Sequence, residues 1–176
     1  MLASCAAAPP RTVFTLGSAP PGREMDAGSP LVAIADVKLP GYAAGRAMVR
    51  AGAGSTISTL EQAQWSDDLP ILVTEALARQ LRSRGVNAWT TPIPAGLSAE
   101  YTVTVMFTSF LWDAGEGLAM PCDLLISSGD QVSISTSLEA FAATSADDAS
   151  QLAAAASTGV ARIAEQISEQ LAPLLQ

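Results

Sequence analysis

Two stretches of this chain carry apolar residues at helical spacing, and the segments around them are patterned for strands. In the first stretch the apolar side chains fall at Leu69, Leu72, Val73, Ala76, Leu77 and Leu81. Steps of three and four build a single apolar stripe on a helix. Ser66, Asp67 and Asp68 precede it. All three are N-cap types, and carboxylates suit the positive end of a helix. Pro70 is tolerated in the first turn, where its missing N–H would have had no partner. Glu75 and Arg79 make an i, i+4 pair off the stripe, and Gly85 supplies the stop after Arg82 and Arg84. In the second stretch Leu152, Ala156, Val160, Ile163, Ile167 and Leu171 form one stripe. Ser145 is its expected cap, with Asp147 and Asp148 close behind in an Asp version of the capping box. The alanine run at 153–156 permits close approach to a sheet.

Strand patterns fill most of the remainder. Leu31 to Leu39 reads as a strand stopped by Pro40-Gly41. Ala47 to Ala51 and Ser55 to Leu60 flank Gly52-Ala53-Gly54 and read as a hairpin. Val86 to Thr90 is a short strand. Tyr101 to Trp112, rich in β-branched and aromatic residues, reads as one long central strand partly covered on both faces. Gly117 to Ile126 follows, and Pro121 inside it argues for an edge or a bulge. After the turn at Ser128-Gly129-Asp130, residues 131–141 alternate. Val132, Ile134, Leu138 and Ala140 point inward; Ser133, Ser135, Ser137 and Glu139 point outward. The pattern predicts an α/β fold of the α+β sandwich kind: a mixed, largely antiparallel sheet of five to seven strands packed by two amphipathic helices. The sheet is mixed because the helix after Asp68 crosses between strands.

Composition adds limits. At 176 residues the prior is one domain. Apolar residues make up 49% and charged ones only 15%, yet no run approaches the ~18 consecutive apolar residues of a membrane span. There is no histidine, which removes Ser-His-Asp and Cys-His catalysis and every His-ligated metal site. Lys38 is the sole lysine, and no phosphate-cradling G-x-x-x-x-G-K-[ST] stretch exists. The net charge of −8 is uneven: the half after residue 88 holds Arg162 as its one cation against ten acids. Such a half offers no basic footprint for nucleic acid. It is a solvated acidic face or meets a basic partner.

Few residues suggest chemistry. Asp67/Asp68 and Asp147/Asp148 resemble acid/base pairs, but both sit where helix caps are expected. Gly41, Gly45, Gly52 and Gly54 precede a strand rather than a helix, so turns account for them better than a phosphate loop. Trp65, Trp89 and Trp112 fit either core and sheet edge or the lining of a hydrophobic site. Trp65, just before a helix, is expected to be partly exposed.

The start of the chain, Leu2-Ala3-Ser4-Cys5, resembles the bacterial lipobox. In that reading residues 1–5 are the remnant of a lipoprotein signal and Cys5 is the lipidation site. Two or more acyl chains anchor stably where one does not. Ala6, rather than Asp, points to the outer membrane. Residues 6–30, rich in Ala, Pro, Gly and Ser, read as a flexible tether interrupted by a strand-like run from Arg11 to Leu16. Residues 31–176 read as one domain. Cys122 is then a small buried hydrophobe; the alternative is a Cys5–Cys122 disulfide.

Gln64-Trp65-Ser66-Asp67-x-Leu69-Pro70 with the helix through Leu81 resembles the ABC-type transport auxiliary lipoproteins, the PqiC-like membrane lipoproteins. Leu39-Pro40-x-Tyr42, the strand with Met48-Val49-Arg50, Tyr101 near the start of a long strand and the terminal helix agree. Ala43-Ala44-Gly45-Arg46 departs from the charged, proline-containing stretch common in the family. The resemblance implies a non-catalytic lipoprotein on the periplasmic face of the outer membrane. It implies partners as well: a mammalian-cell-entry-type substrate-binding protein with its ABC permease and ATPase, in a system that moves lipids between membranes. Trp65, Pro40 and Tyr42 are the candidate partner-binding residues. No cofactor, catalytic residue or metal ligand is implied, and a homo-oligomer is allowed for. The alternative is an outer-membrane assembly or chaperone lipoprotein serving another envelope complex.

Overall fold

The structure, a computed structural model, describes residues 10–21, 28–113, 116–144 and 148–176. Cys5, Ser145 and Asp147 lie outside the described residues. In chain order the elements are β1 (Thr12–Phe14), β2 (Leu31–Ile34), β3 (Ala47–Gly52), β4 (Thr56–Trp65), α1 (Leu69–Ser83), β5 (Asn87–Thr90), β6 (Tyr101–Phe107), β7 (Leu111–Asp113), β8 (Gly117–Ser128), β9 (Gln131–Ala142) and α2 (Ala149–Leu171). A 3-10 turn occupies Gly41–Ala43. The nine strands make one mixed, largely antiparallel sheet, larger than the five to seven strands expected.

The sheet forks. β8 pairs along its whole length with β9 on one side. On its other side it pairs with β6 through Cys122–Ser127 and with β7 through Gly117–Ala119. The β6 branch continues in parallel to β2 and then β5. The β7 branch continues to β3, β4 and β1. The single strand expected over Tyr101–Trp112 is therefore two, broken at 108–110, each leading one branch. Pro121 sits in this fork, in an interior strand rather than at an edge. Its register partner Glu139 turns its carbonyl away from β8, so by the antiparallel alternation Pro121 faces the other side, between the branches. No strand runs there to need its N–H, and its carbonyl accepts from the Thr108 N–H at 3.0 Å.

Both helices cover the same face. α1 packs against β2 and β5, α2 against β8, β9 and β1, and the helices touch each other. α1 buries Leu69, Leu72, Val73, Ala76, Leu77 and Leu81, the predicted stripe. Each fully buried leucine or valine contributes about 1.5–3 kcal/mol. Gly85, at φ +86, ends the helix as expected. α2 approaches β8 at Gly159, where a side chain would run into Met120, whose Sδ lies 3.0 Å from an ideal Cβ. At its N-terminus the Asp148 carboxylate accepts the Gln151 N–H at 2.9 Å and caps the helix.

Three further expectations are corrected. β2 ends at Ile34: Ala35 N–H still donates to Val103 C=O at 2.9 Å, but the chain leaves the ladder at Asp36–Val37 and bridges to β6 again at Lys38–Met106. Val132 is 59% exposed, because the first half of β9 runs beyond the cover that buries Leu138, Ala140 and Ala142. The segment before residue 31 contributes to the packed unit, since β1 pairs with β4 and Leu16 is buried.

Candidate functional cleft

Trp65 is 1% exposed, among the most buried side chains in the protein. The expectation of a partly exposed ring is thereby corrected. The ring belongs to the core, and the backbone around it does the local work. Trp65 N–H donates to Arg46 C=O at 2.8 Å, and Arg46 Nε donates back to Trp65 C=O at 3.2 Å. Leu69 N–H reaches Gly45 C=O at 3.3 Å. The segment 65–70 is thus laced to 45–46, directly after the turn that holds Tyr42.

Tyr42 is half-buried and works at the fork. Its hydroxyl accepts the Phe110 N–H at 3.1 Å and lies 3.4 Å from Ser109 Oγ. It pins the loop that separates the two branches. Pro40 caps the 3-10 turn, where its carbonyl accepts the Ala43 N–H at 2.8 Å. The structure brings these two sequence segments, 40–46 and 65–70, side by side. It gives Trp65, Pro40 and Tyr42 framework positions.

Where the two segments meet, a cleft of about 520 Å³ opens. It lies beyond the C-terminal ends of the parallel strands β2 and β5, beside the start of α1. Crevices at that end of parallel strands are common binding sites. Val37, Leu39, Pro70 and Ile71 give it an apolar surface. Asp36, Lys38 and Glu75 bring charge of both signs to its exposed parts, and Thr90 and Thr91 contribute hydroxyls. Ile71 is 46% exposed. Sequence reasoning passed over Ile71, yet a signal was there: a large aliphatic off the stripe, on the polar side of an amphipathic helix. A second hollow of about 610 Å³ lies between β4, β1 and the start of α2, away from both motif segments.

The α1 N-terminus offers little to an anion, since Leu69 N–H is taken by Gly45, and Ile71 and Leu72 N–H by Asp68 C=O. Pro70 has no N–H. Among the described residues no group of three His, Cys, Asp or Glu side chains is placed to bind a metal ion. Cys122 is buried in β8, free of any disulfide, and burial pushes its thiol up to about 12, with Asp123 adding to the shift. A thiol held protonated is a poor nucleophile. Trp89 is exposed at the β5 edge, its indole N–H on Asn87 Oδ1 at 2.9 Å, while Trp112 is core. The three tryptophans do not converge on one site. Among the described residues no helix is long and apolar enough to cross a membrane.

Comparison with known proteins places this architecture. No curated relative matches the chain. A crystal structure of an uncharacterised protein superposes with a TM-score of 0.77 at 16% identity, covering 93% of this chain and all of the other. A Xanthomonas campestris protein superposes with a TM-score of 0.68 at 12% identity, covering 89% and 92% respectively. At these identities the likeness is one of fold. A family model for the ABC-type transport auxiliary lipoprotein component matches residues 14–168, a span that takes in every strand but β1's first residues, all of α1 and nearly all of α2. This chain belongs to the ABC-type transport auxiliary lipoprotein family.

Proposed function

We propose that the protein is a non-catalytic lipoprotein, anchored at Cys5 to the periplasmic face of the outer membrane. There it serves as the docking component of an ABC-type system for intermembrane lipid transport. Its partner is the mammalian-cell-entry-type substrate-binding protein that works with the ABC permease and ATPase. The observation that carries the reading is the family membership over residues 14–168. The cleft gives it a place to act: each motif segment contributes one residue to its lining, Ala44 and Pro70, and its surface is apolar with a mixed charged margin. Proline and aliphatic side chains there fit a partner's apolar side chain, with Lys38, Asp36 and Glu75 positioned to orient its polar flanks. In this reading Trp65, Pro40 and Tyr42 serve partner binding by holding the cleft walls. Residues 6–30 act as the tether, with Thr12–Phe14 docked on the sheet, and residues 31–176 form the body of the domain.

Expression of the full-length gene product tests the anchor. Cys5 should incorporate labelled palmitate and the protein should fractionate with outer membrane. A Cys5→Ala variant should be unlabelled and released from membranes. Labelling at no residue, or residence in the cytoplasm, contradicts the anchored reading.

A further inference from the structure

The free edges of the sheet lie at β1, at β4 ahead of the Ala63–Trp65 stretch that β1 covers, at β5 and at β9, and the protein closes them unequally. β1 is only three residues long. β5 is four residues long, and Arg82 Nη1 from α1 donates to its Ala88 carbonyl at 2.8 Å. On β9, α2 lays two side chains along the edge: Arg162 donates to the Phe141 carbonyl, and Gln166 to the Glu139 carbonyl at 2.9 Å. The donors are four apart on the helix and the acceptors two apart on the strand, so both periodicities match. Guarding of this kind is how sheet proteins avoid stray pairing.

The guard stops at Glu139. Ser137 and Ser135 lie two and four residues further back, so their N–H and C=O point the same way as those of Glu139, away from β8. None of these four groups has a partner among the described residues. The regular stretch ends at Ser133, the extra residue where Ile126 pairs with Ile134 and Ser127 with Val132. An open ladder of Ser135 to Glu139 therefore remains on β9, beside the stretch that α2 guards. The hairpin that bears it carries one sign of charge, and the cation Arg162 sits at the guarded Phe141 end. The β8–β9 hairpin holds Asp123, Asp130 and Glu139 and no Lys or Arg. Asp123 faces the open stretch directly, accepting the Ser137 hydroxyl at 2.7 Å.

We propose that Ser135–Glu139 of β9 is a strand-addition site for an extended, lysine- or arginine-bearing segment of a partner protein. Backbone pairing supplies the hold and alternate side chains supply selectivity. The cations would face Asp123, Asp130 and Glu139, since opposite charges across strands stabilise and like charges do not. A second copy of this chain is the poorer occupant, because it would bring the same three carboxylates to the same edge. The site is separate from the cleft and does not depend on the function proposed for it. It also gives the acidic C-terminal half a role beyond solvation.

The test uses the full chain and a synthetic peptide, Lys-Val-Thr-Val-Lys-Val-Thr-Val-Lys, with a twin N-methylated at alternate residues so that it keeps charge but cannot pair. Binding by fluorescence anisotropy is combined with amide hydrogen exchange. The expected result is binding that protects the Ser135, Ser137 and Glu139 amides, weakens with salt, and falls by about tenfold or more in Ser135→Pro. Proline at an edge position whose N–H faces solvent leaves the fold intact. The N-methylated twin, which needs no protein variant, should not bind. No binding, equal binding of the twin, or protection elsewhere overturns the proposal. Protection of these amides that rises with protein concentration in the absence of peptide assigns the edge to a second copy and overturns it too.

Discussion

The Thr74 hydroxyl, buried in α1, accepts the Val37 N–H at 3.0 Å and donates to the Pro70 carbonyl at 2.8 Å. Val37 lies where the chain has left β2 and not yet rejoined β6, so no strand is available to take its N–H. One hydroxyl thus fastens the chain after β2 to the first turns of α1, and both line the cleft. Thr74→Val keeps the shape and removes the acceptor, leaving a buried amide unsatisfied. The expected cost is about 1–3 kcal/mol in urea unfolding. Thr74→Ser, which keeps the hydroxyl, should cost clearly less. Equal losses in the two variants would show that packing and not the hydrogen bond matters here.

Gly117 has φ +129, and a Cβ there would press on the Ala142 carbonyl oxygen and come within 2.9 Å of Ala143 Cα. Both obstacles are backbone, which cannot swing away. Gly117→Ala should therefore destabilise by more than the roughly 1–3 kcal/mol of a disfavoured backbone conformation alone. Gly129, in the β8–β9 turn at φ +55, meets nothing within 4 Å. Its alanine variant should show the smaller conformational cost only. The ranking of the two melting temperatures checks the argument.

Cys122 gives a dependence on alkali. Its thiol is pushed up to about 12 from an ordinary 9.0, first by burial and then by Asp123. In the folded protein it keeps its proton while the unfolded chain releases it. The contribution is therefore complete below the ordinary value and is lost as pH climbs from there toward about 12. Unfolding curves should show stability falling over that window, with a flatter fall in Cys122→Ala. Iodoacetamide at neutral pH should label Cys122 only when the protein is unfolded.

Asp148 gives the opposite dependence. Its carboxyl lies below the usual carboxylate range because it accepts the Ser150 hydroxyl and then the Gln151 N–H. The stabilisation is present above the usual value and is lost as pH falls through the lowered one. Asp148→Asn keeps a capping oxygen but does not titrate. It should resemble the parent at acid pH and be the less stable of the two at neutral pH. Parallel curves across the whole range would remove Asp148 from the acid response.

The two helices were legible because their stripes depend on residues three and four apart, which the chain states locally. The strands were legible as apolar runs, but the fork was not. It depends on β6 and β7 sharing one side of β8, a long-range arrangement that no local period encodes. Pro121 carried a trace of it: a proline in a strand marks a missing hydrogen bond, and here the missing partner is a gap between branches. Trp65 and Tyr42 could be singled out by motif, but their burial could not, since it depends on the Arg46 and Phe110 backbone that folding brings against them. The cleft was missed for a related reason. Its walls come from three separate stretches of the chain, within 36–44, 70–75 and 90–91, and its exposed aliphatic residue, Ile71, lies off the stripe that defined the helix.

The central claim is that the cleft docks a mammalian-cell-entry-type partner, and affinity capture from envelope membranes tests it most directly. Full-length protein and an Ile71→Asp variant are captured in parallel, after both are shown to have the same melting temperature. Ile71 is exposed, so the change should leave the fold intact. The account predicts that the parent recovers the substrate-binding protein with its permease and ATPase, and that the variant recovers far less of all three. Recovery of none of them by the parent, or of equal amounts by parent and variant, would contradict it.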